Sequence, residues 1–364
     1  MTILIIVILI ALTFEYVNGS NDTGNSIATV VSTKVLTPRQ AFMMAAIANL
    51  IGALWGTAVA KTIAAGLVDV KMVTPEILVC ALAGATAWNI TMWWFGMPSS
   101  SSHALVGGLC GSVLAASHNN WHSIIWSEPS AEHWFLGKGL LWKVVIPMVA
   151  SPLCGLLVGF AVMGALYMLL KKARPQWVNS FFGKLQLVSS ASMGFMHGTN
   201  DAQKTMGIIA LSLVAATSTG SLDNAPSWLH FLKTPEPTPG KPLEIAVWIK
   251  VLCAITMAFG TAIGGWRIIR TLGHKMVKLQ PIHGFAAETT SASIIMVATH
   301  FGIPISTTHN ISSSIMGVGA AKRLNAIRWT VVEQMVWAWV LTIPMSATVA
   351  YLLVRLARVL GFVS

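Results

Sequence analysis

The sequence predicts an all-α polytopic membrane protein, and three observations carry that reading: strong hydropathy, sparse charge and an internal repeat of polar motifs. Of 364 residues, 55% are hydrophobic and 10% charged, and mean hydropathy is +0.70. A soluble domain carries about a quarter charged residues, so these residues cannot build a water-facing surface for the whole chain. Apolar runs near the roughly 20 residues that cross a bilayer recur throughout. A secreted, cytosolic or nucleic-acid-binding domain is excluded.

Ten apolar segments are expected. They span about 1–35 (interrupted), 40–60, 76–96, 103–116 and 141–170, then 185–216 (interrupted), 244–266, 283–302, 305–321 and 329–354. Counting the hairpins described below either way gives 10–12 membrane segments. Polar connector 117–140 carries His118, Asn119, Asn120, Glu128, Glu132 and His133, and connector 217–243 carries Pro226, Pro235, Pro237, Pro239 and Pro242. Trp121, Trp126, Trp134, Trp228 and Trp329 near segment ends suit interfacial belts. The N-terminal stretch lacks a basic n-region and a small-residue cleavage site, so a removable signal peptide is not expected. Cys80, Cys110, Cys154 and Cys253 lie in apolar stretches without metal spacing, which predicts buried packing and no metal site.

The net charge of +11 sits mainly in short loops. Lys171, Lys172, Arg174 and Lys184, then Arg267, Arg270, Lys275 and Lys278, then Lys322, Arg323 and Arg328 fall on one side if the intervening segments return the chain. Basic loops mark the cytoplasmic face, so both termini are expected outside.

Two motif pairs recur in the same order. Gly-Ser-Asn-Asp-Thr-Gly-Asn at 19–25 matches Gly-Thr-Asn-Asp-Ala-Gln-Lys at 198–204, and Gly-Met-Pro-Ser-Ser-Ser-Ser-His at 96–103 matches Gly-Ile-Pro-Ile-Ser-Thr-Thr-His at 302–309. Each half holds an odd number of segments, so the second half enters the membrane inverted. The expected organisation is a first repeat over 1–170, a basic linker over 171–184 and a second repeat over 185–364, with broken helices and re-entrant hairpins. Inverted repeats with matching breaks mark secondary transporters.

The chemistry follows from charge. Asp22 and Asp201 lie mid-segment, where a carboxylate costs about 2.5–3.5 kcal/mol on insertion scales, and the preceding glycines suggest an unwound break at each. Asn21 and Asn200 would offer amides to an anion. Ser100, Ser101 and Ser102, like Ser306, Thr307 and Thr308, open new helices whose hydroxyls and free N–H groups form an oxyanion site. Gly107, Gly108, Gly111, Gly317 and Gly319 read as close helix packing. His103 and His309 hold matching positions and are expected to be structural. Glu288 is a third intramembrane carboxylate, Asn89 and Asn49 are embedded amides, and Lys204 stands where the first half has Asn25. A doubly charged anion beside Asp22, Asp201 and Glu288 is tolerable only if cations or protons enter with it. That predicts a symporter, with phosphate, sulfate or another tetrahedral oxyanion fitting the donors. An enzyme is not expected, because mirrored half-sites leave no nucleophile.

With Ala-Glu-Thr-Thr at 287–290, these motifs resemble the inorganic phosphate transporter (PiT) family across essentially the whole chain. The resemblance implies proton- or sodium-coupled import of inorganic phosphate through the inner or plasma membrane, no cofactor, and a homodimer surrounded by lipid. Phosphate would be held by Asn21, Ser100, Ser101, Ser102, Asn200, Lys204, Ser306, Thr307 and Thr308. Asp22, Asn25, Asn89, Asp201 and Glu288 would serve cation or proton coupling. Lys204 and Asn49 depart from sodium-coupled members and resemble the bacterial low-affinity branch, in which metal–phosphate complexes also serve as substrates. With Lys204 standing where a bound cation would be, protons are favoured over sodium.

Overall fold

The computed structural model describes residues 2–65, 67, 68, 72–128, 137–223, 226–235 and 243–362. Glu132, His133, Trp134, Pro237, Pro239 and Pro242 of the two connectors lie outside them. Twelve α-helices are present among the described residues: α1 Thr2–Ser32, α2 Pro38–Ala53, α3 Ala58–Ala65, α4 Pro75–Phe95, α5 Ser101–Ala116, α6 Ile146–Leu169, α7 Pro175–Ser218, α8 Val247–Ile263, α9 Trp266–Arg270, α10 Pro281–His300, α11 Thr307–Lys322 and α12 Trp329–Val359. A π-helical turn, Leu141–Val145, leads into α6, and a second, Thr271–Lys275, extends α9.

Helix starts follow local chemistry. Proline opens α2, α4, α7 and α10, where its missing N–H costs nothing and its fixed φ is already helical. Thr37 and Gln40 close a reciprocal cap on α2. The tip of each Pro-Ser element turns on a glycine with positive φ, Gly96 at 65° and Gly302 at 63°. Both tips then cap the next helix alike: Ser100 Oγ accepts from His103 N and Ser306 Oγ accepts from His309 N, each at 3.2 Å.

The expected breaks at Asn21-Asp22 and Asn200-Asp201 are absent, for α1 and α7 run through both motifs without interruption. The glycines there serve approach instead. A Cβ on Gly19 would meet Thr261 N at 3.2 Å, and one on Gly198 would strike Asn49 backbone. Thr199 Oγ1 also bonds back to Phe195 O at 2.8 Å, satisfying helical groups locally. The real breaks fall one helix later in each half. α2 and α3 meet at 70° and α8 and α9 at 60°, turning on Gly56 (φ 83°) and Gly264 (φ 72°). The basic stretch 171–184 is mostly helix as well, since α7 begins at Pro175.

Four stretches are long and apolar enough to cross a membrane: Thr2–Ser32, Pro75–Phe95, Leu141–Leu169 and Trp329–Val359, or up to six spans if each bent pair counts as one. α6 and α12 form the periphery, with Leu153, Leu157, Trp337 and Val340 outward. Cys154 is exposed there too, unlike buried Cys80, Cys110 and Cys253. The helices that fail the hydropathy criterion, among them α7 and α11, carry the polar centre and are buried by neighbours. Gly107 and Gly111 of α5 abut backbone of α12, Gly108 abuts α4 and Gly317 abuts α6, as small-residue packing predicts.

Basic residues gather at one end of the bundle. Arg328 N donates to Met276 O at 3.1 Å, and Tyr167 Oη meets His283 Nε2 at 2.8 Å. This gathers the end of α6, the start of α10 and the turn before α12. A cavity of about 270 Å³ there is lined by His274, Lys275, Lys278, Lys322, Arg323 and Arg328. At the other end Val68 bridges Ile124 and Arg358 Nη2 donates to Ala116 O at 3.0 Å. The start of α1 packs into the same apolar cluster as Val68 and Ile124.

Candidate functional site

α1 and α7 pack antiparallel. Thr205 Oγ1 donates to Glu15, Ser190 Oγ to Ser26 O at 2.8 Å, and Thr33 Oγ1 to Gln186 Oε1 at 2.8 Å. The matching motifs meet near their crossing. Two apolar clusters lie beyond it, one holding Leu4–Phe14 of α1 with Ala202–Ala216 of α7, the other Ile27–Val31 with Phe182 and Met193. A polar layer between them is sealed: Asp22 is 3% exposed, Asp201 0% and Lys204 1%.

Both hairpin tips end in that layer. Ser101 Oγ donates to Asp22 Oδ2 at 2.9 Å and Thr308 Oγ1 to Asp22 Oδ1 at 3.3 Å. Thr307 Oγ1 donates to Asp201 Oδ2 at 3.3 Å. Lys204 Nζ lies 2.6 Å from Asp201 Oδ1, donates to Ser102 Oγ, and reaches Ile305 O at 3.3 Å. Asn25 Nδ2 donates to Thr307 Oγ1 at 3.2 Å and Thr308 Oγ1 at 2.9 Å, leaving its Oδ1 without a partner among the described residues. The hydroxyls of both tips, both aspartates, Asn25 and Lys204 therefore form one constellation.

The other expected residues divide. Asn21 Nδ2 is committed to Asn89 O at 3.0 Å, and Asn200 Nδ2 to Thr299 Oγ1 at 2.9 Å. They join α1 to α4 and α7 to α10 in matching fashion. Asn89 contributes its carbonyl to that contact, and its buried amide atoms have no partner among the described residues. Ser100 and Ser306 are caps. His103 and His309 pack edge to face at 4.8 Å between ring centroids, and His309 stacks on Trp339 at 4.2 Å. His103 Nδ1 and both ring nitrogens of His309 have no hydrogen-bond partner among the described residues. Glu288 does not join the constellation. It accepts from Thr29, Ser189 and, at 3.2 Å, Gln186 Nε2. Thr29 lies seven residues beyond Asp22, about 10 Å along the helix.

His197 is the residue that the sequence reading left without a role. One turn before Asp201 on α7, its Nε2 lies 3.4 Å from Asp201 Oδ2, and its Nδ1 meets Asn49 Oδ1 at 2.9 Å. Asn49 in turn donates to Thr261 Oγ1 at 3.1 Å. Asp22, His197 and Asp201 each offer a ligand atom, and these atoms lie within 4.8 Å of one another. Spacing from Asp201, one helical turn, was the available signal. The expectation of no metal site rested on cysteine and histidine spacing along the sequence, whereas this group is assembled from two helices, α1 and α7.

Known proteins share this architecture. The phosphate transporter family matches residues 18–178 and 170–350. A "probable low-affinity inorganic phosphate transporter" of Rhizobium meliloti is 42% identical, covering 96% of this chain and 95% of its own. One of Bacillus subtilis with the same description is 38% identical, covering 97% of both. A solved structure described as "the sodium-dependent phosphate transporter" superposes with a TM-score of 0.80 at 23% identity, covering 99% of this chain and all of that one.

Proposed function

The chain belongs to the phosphate transporter family, and on that premise we propose that it is a secondary active symporter that imports inorganic phosphate with protons or sodium. The observation that carries this reading is the donation of Ser101 and Thr308 hydroxyls to Asp22. An oxyanion needs those same donors. Carboxylate and substrate compete for them until a cation or proton takes over the carboxylate, which frees the hydroxyls and removes the repulsion. Anion and counter-charge then load together.

In this reading Ser101, Ser102, Thr307 and Thr308, with the uncovered N–H groups at the starts of α5 and α11, hold phosphate. Ser100 and Ser306 shape those helix ends, and Asn21 and Asn200 fix the supporting helices. Asp22, Asp201 and Asn25 take the coupling cation, and Lys204 supplies a tethered positive charge to Asp201. Asn89 and Glu288 act on coupling from outside the contact shell. With Glu288 removed from the centre, two carboxylates face one ammonium before substrate arrives.

The two repeats correspond to α1–α6 and α7–α12, inverted about the α1–α7 crossing and joined at 170–174. The clustering of basic residues at one end supports a cytoplasmic face there, with both termini outside an inner or plasma membrane. A homodimer completes the assembly.

Labelled phosphate uptake into proteoliposomes under separate sodium and proton gradients tests the proposal. Uptake no better than empty vesicles under both would refute it, and equal competition by sulfate would replace phosphate with the broader oxyanion class. The grouping of Asp22, His197 and Asp201 favours a second reading, in which a divalent cation crosses with the phosphate. Labelled manganese would then enter only when phosphate is present, and His197→Asn would abolish that entry.

A further inference from the structure

One buried carboxylate has no part in the transport just proposed. Glu15 is 0% exposed and lies seven residues before Asp22 on the same helix, about 10 Å away along the axis. One of its oxygens, Oε2, accepts from Thr205 Oγ1. The other, Oε1, has no hydrogen-bond partner among the described residues, and neither amide atom of Asn18, also 0% exposed, has one. The charged or titratable groups that face Glu15 are Asp201 and Lys204 of α7 and Cys253 of α8. No cation pairs with it among the described residues. In the second half, the motif register places Gly194 and His197 where α1 has Glu15 and Asn18. This carboxylate is therefore outside the mirrored machinery.

A buried carboxylate with no paired cation, and with only Thr205 and the Asn18 amide beside it, is untenable as an ion in a dry interior. A proton on Oε1 removes the buried charge and pairs that oxygen with Asn18 Oδ1. It turns Oε1 into a donor, and Asn18 Oδ1, three residues along the same face, is an acceptor that lacks one. We propose that Glu15 carries the coupled proton of the symport, the counter-charge met at Asp22 then being a cation rather than a second proton. An O–H bond forms on Oε1 with a proton taken from the outer solution and breaks when that proton passes to cytoplasmic water, with no electron transfer. Neutral Glu15 leaves Lys204 free to offset Asp201 and the arriving anion. Ionised Glu15 adds a negative charge facing them and repels phosphate. Loading of phosphate thereby requires the proton.

This inference rests on the phosphate-symport reading, and the experiment separates the two. Phosphate–phosphate counterflow in proteoliposomes needs no net proton movement, whereas accumulation under an imposed pH gradient does. Wild-type protein without counterflow refutes the transport reading itself. With wild-type counterflow present, Glu15→Gln, permanently neutral and nearly isosteric, should exchange phosphate at the wild-type rate. It should accumulate no more under a pH gradient than without one. Glu15→Asp, which keeps an ionisable oxygen, should recover accumulation. The proposal is overturned if wild type accumulates only with sodium, if Glu15→Gln accumulates under a pH gradient, if Glu15→Gln loses exchange, or if Glu15→Asp fails to accumulate.

Discussion

Lys204 Nζ stands between Asp201 and Ser102, 2.6 Å from the carboxylate, whereas Asp22 is reached directly by Thr308 at 3.3 Å. The ammonium thus occupies a position surrounded by a carboxylate, a hydroxyl and the Ile305 carbonyl. Those are the ligands that a hard monovalent cation takes.

Removing one partner of a buried ion pair costs about 3–5 kcal/mol because the survivor is left uncompensated. Lys204→Asn is therefore expected to lower thermal stability strongly in choline buffer and to recover part of it in sodium at equal ionic strength. Wild type should show no such difference. Thermal unfolding in detergent measures both, and identical melting in the two salts would show that Lys204 does not stand in for a cation.

Asp22→Asn keeps the shape of the side chain and one carbonyl acceptor for Ser101 or Thr308, but not the charge. Accumulation should vanish while the protein stays folded in the membrane, because the hydroxyls no longer depend on a cation for release. Asp201→Asn should also abolish accumulation, with a larger loss of stability, since it orphans Lys204. Uptake and melting of the two variants side by side check the contrast. Wild-type accumulation by either variant removes that carboxylate from the mechanism.

The hairpin tips and the aspartates were legible in the sequence because each was written twice in the same order. What Gly19 and Gly198 do was not. A glycine mid-helix reads the same whether it frees the backbone or admits a neighbour, and only the backbone of Thr261 and Asn49 pressed against them decides. The true bends at Gly56 and Gly264 carry no polar signature. Glu288 was legible as an intramembrane carboxylate, but its depth depends on how α10 seats against α1 and α7. His197 could have been found by helical spacing, at four residues before Asp201.

The close contact of α2 with α7 gives a prediction about packing. Gly198→Ala drives a Cβ into Asn49 backbone, which neighbouring helices cannot easily yield, so a cost of about 1–3 kcal/mol is expected. The displaced turn also carries His197 and Asp201, so transport should fall with stability. Gly164 of α6 has nothing within 4 Å of a built Cβ. Gly164→Ala should be neutral or stabilising by up to about 1 kcal/mol, the helix-propensity difference. Melting curves of the pair distinguish packing from a general intolerance of alanine.

Glu288 makes the opposite case to Glu15. Both of its oxygens are occupied, by Thr29 and Gln186 on one and Ser189 on the other, so neither is left without a donor. Glu288→Gln replaces one acceptor by an amide NH₂, which Ser189 Oγ can accept while donating to Gln186 O at 3.3 Å. The exchange of a charged for a neutral acceptor toward Thr29 and Gln186 is expected to cost about 1 kcal/mol. Thr29 separates this network from Asp22 by two helical turns, so the phosphate KM measured in counterflow should stay within about twofold of wild type, the change that roughly 0.4 kcal/mol would produce. A large rise in that KM, with melting unchanged, would place Glu288 in contact with the anion and contradict the separation of the two carboxylate networks.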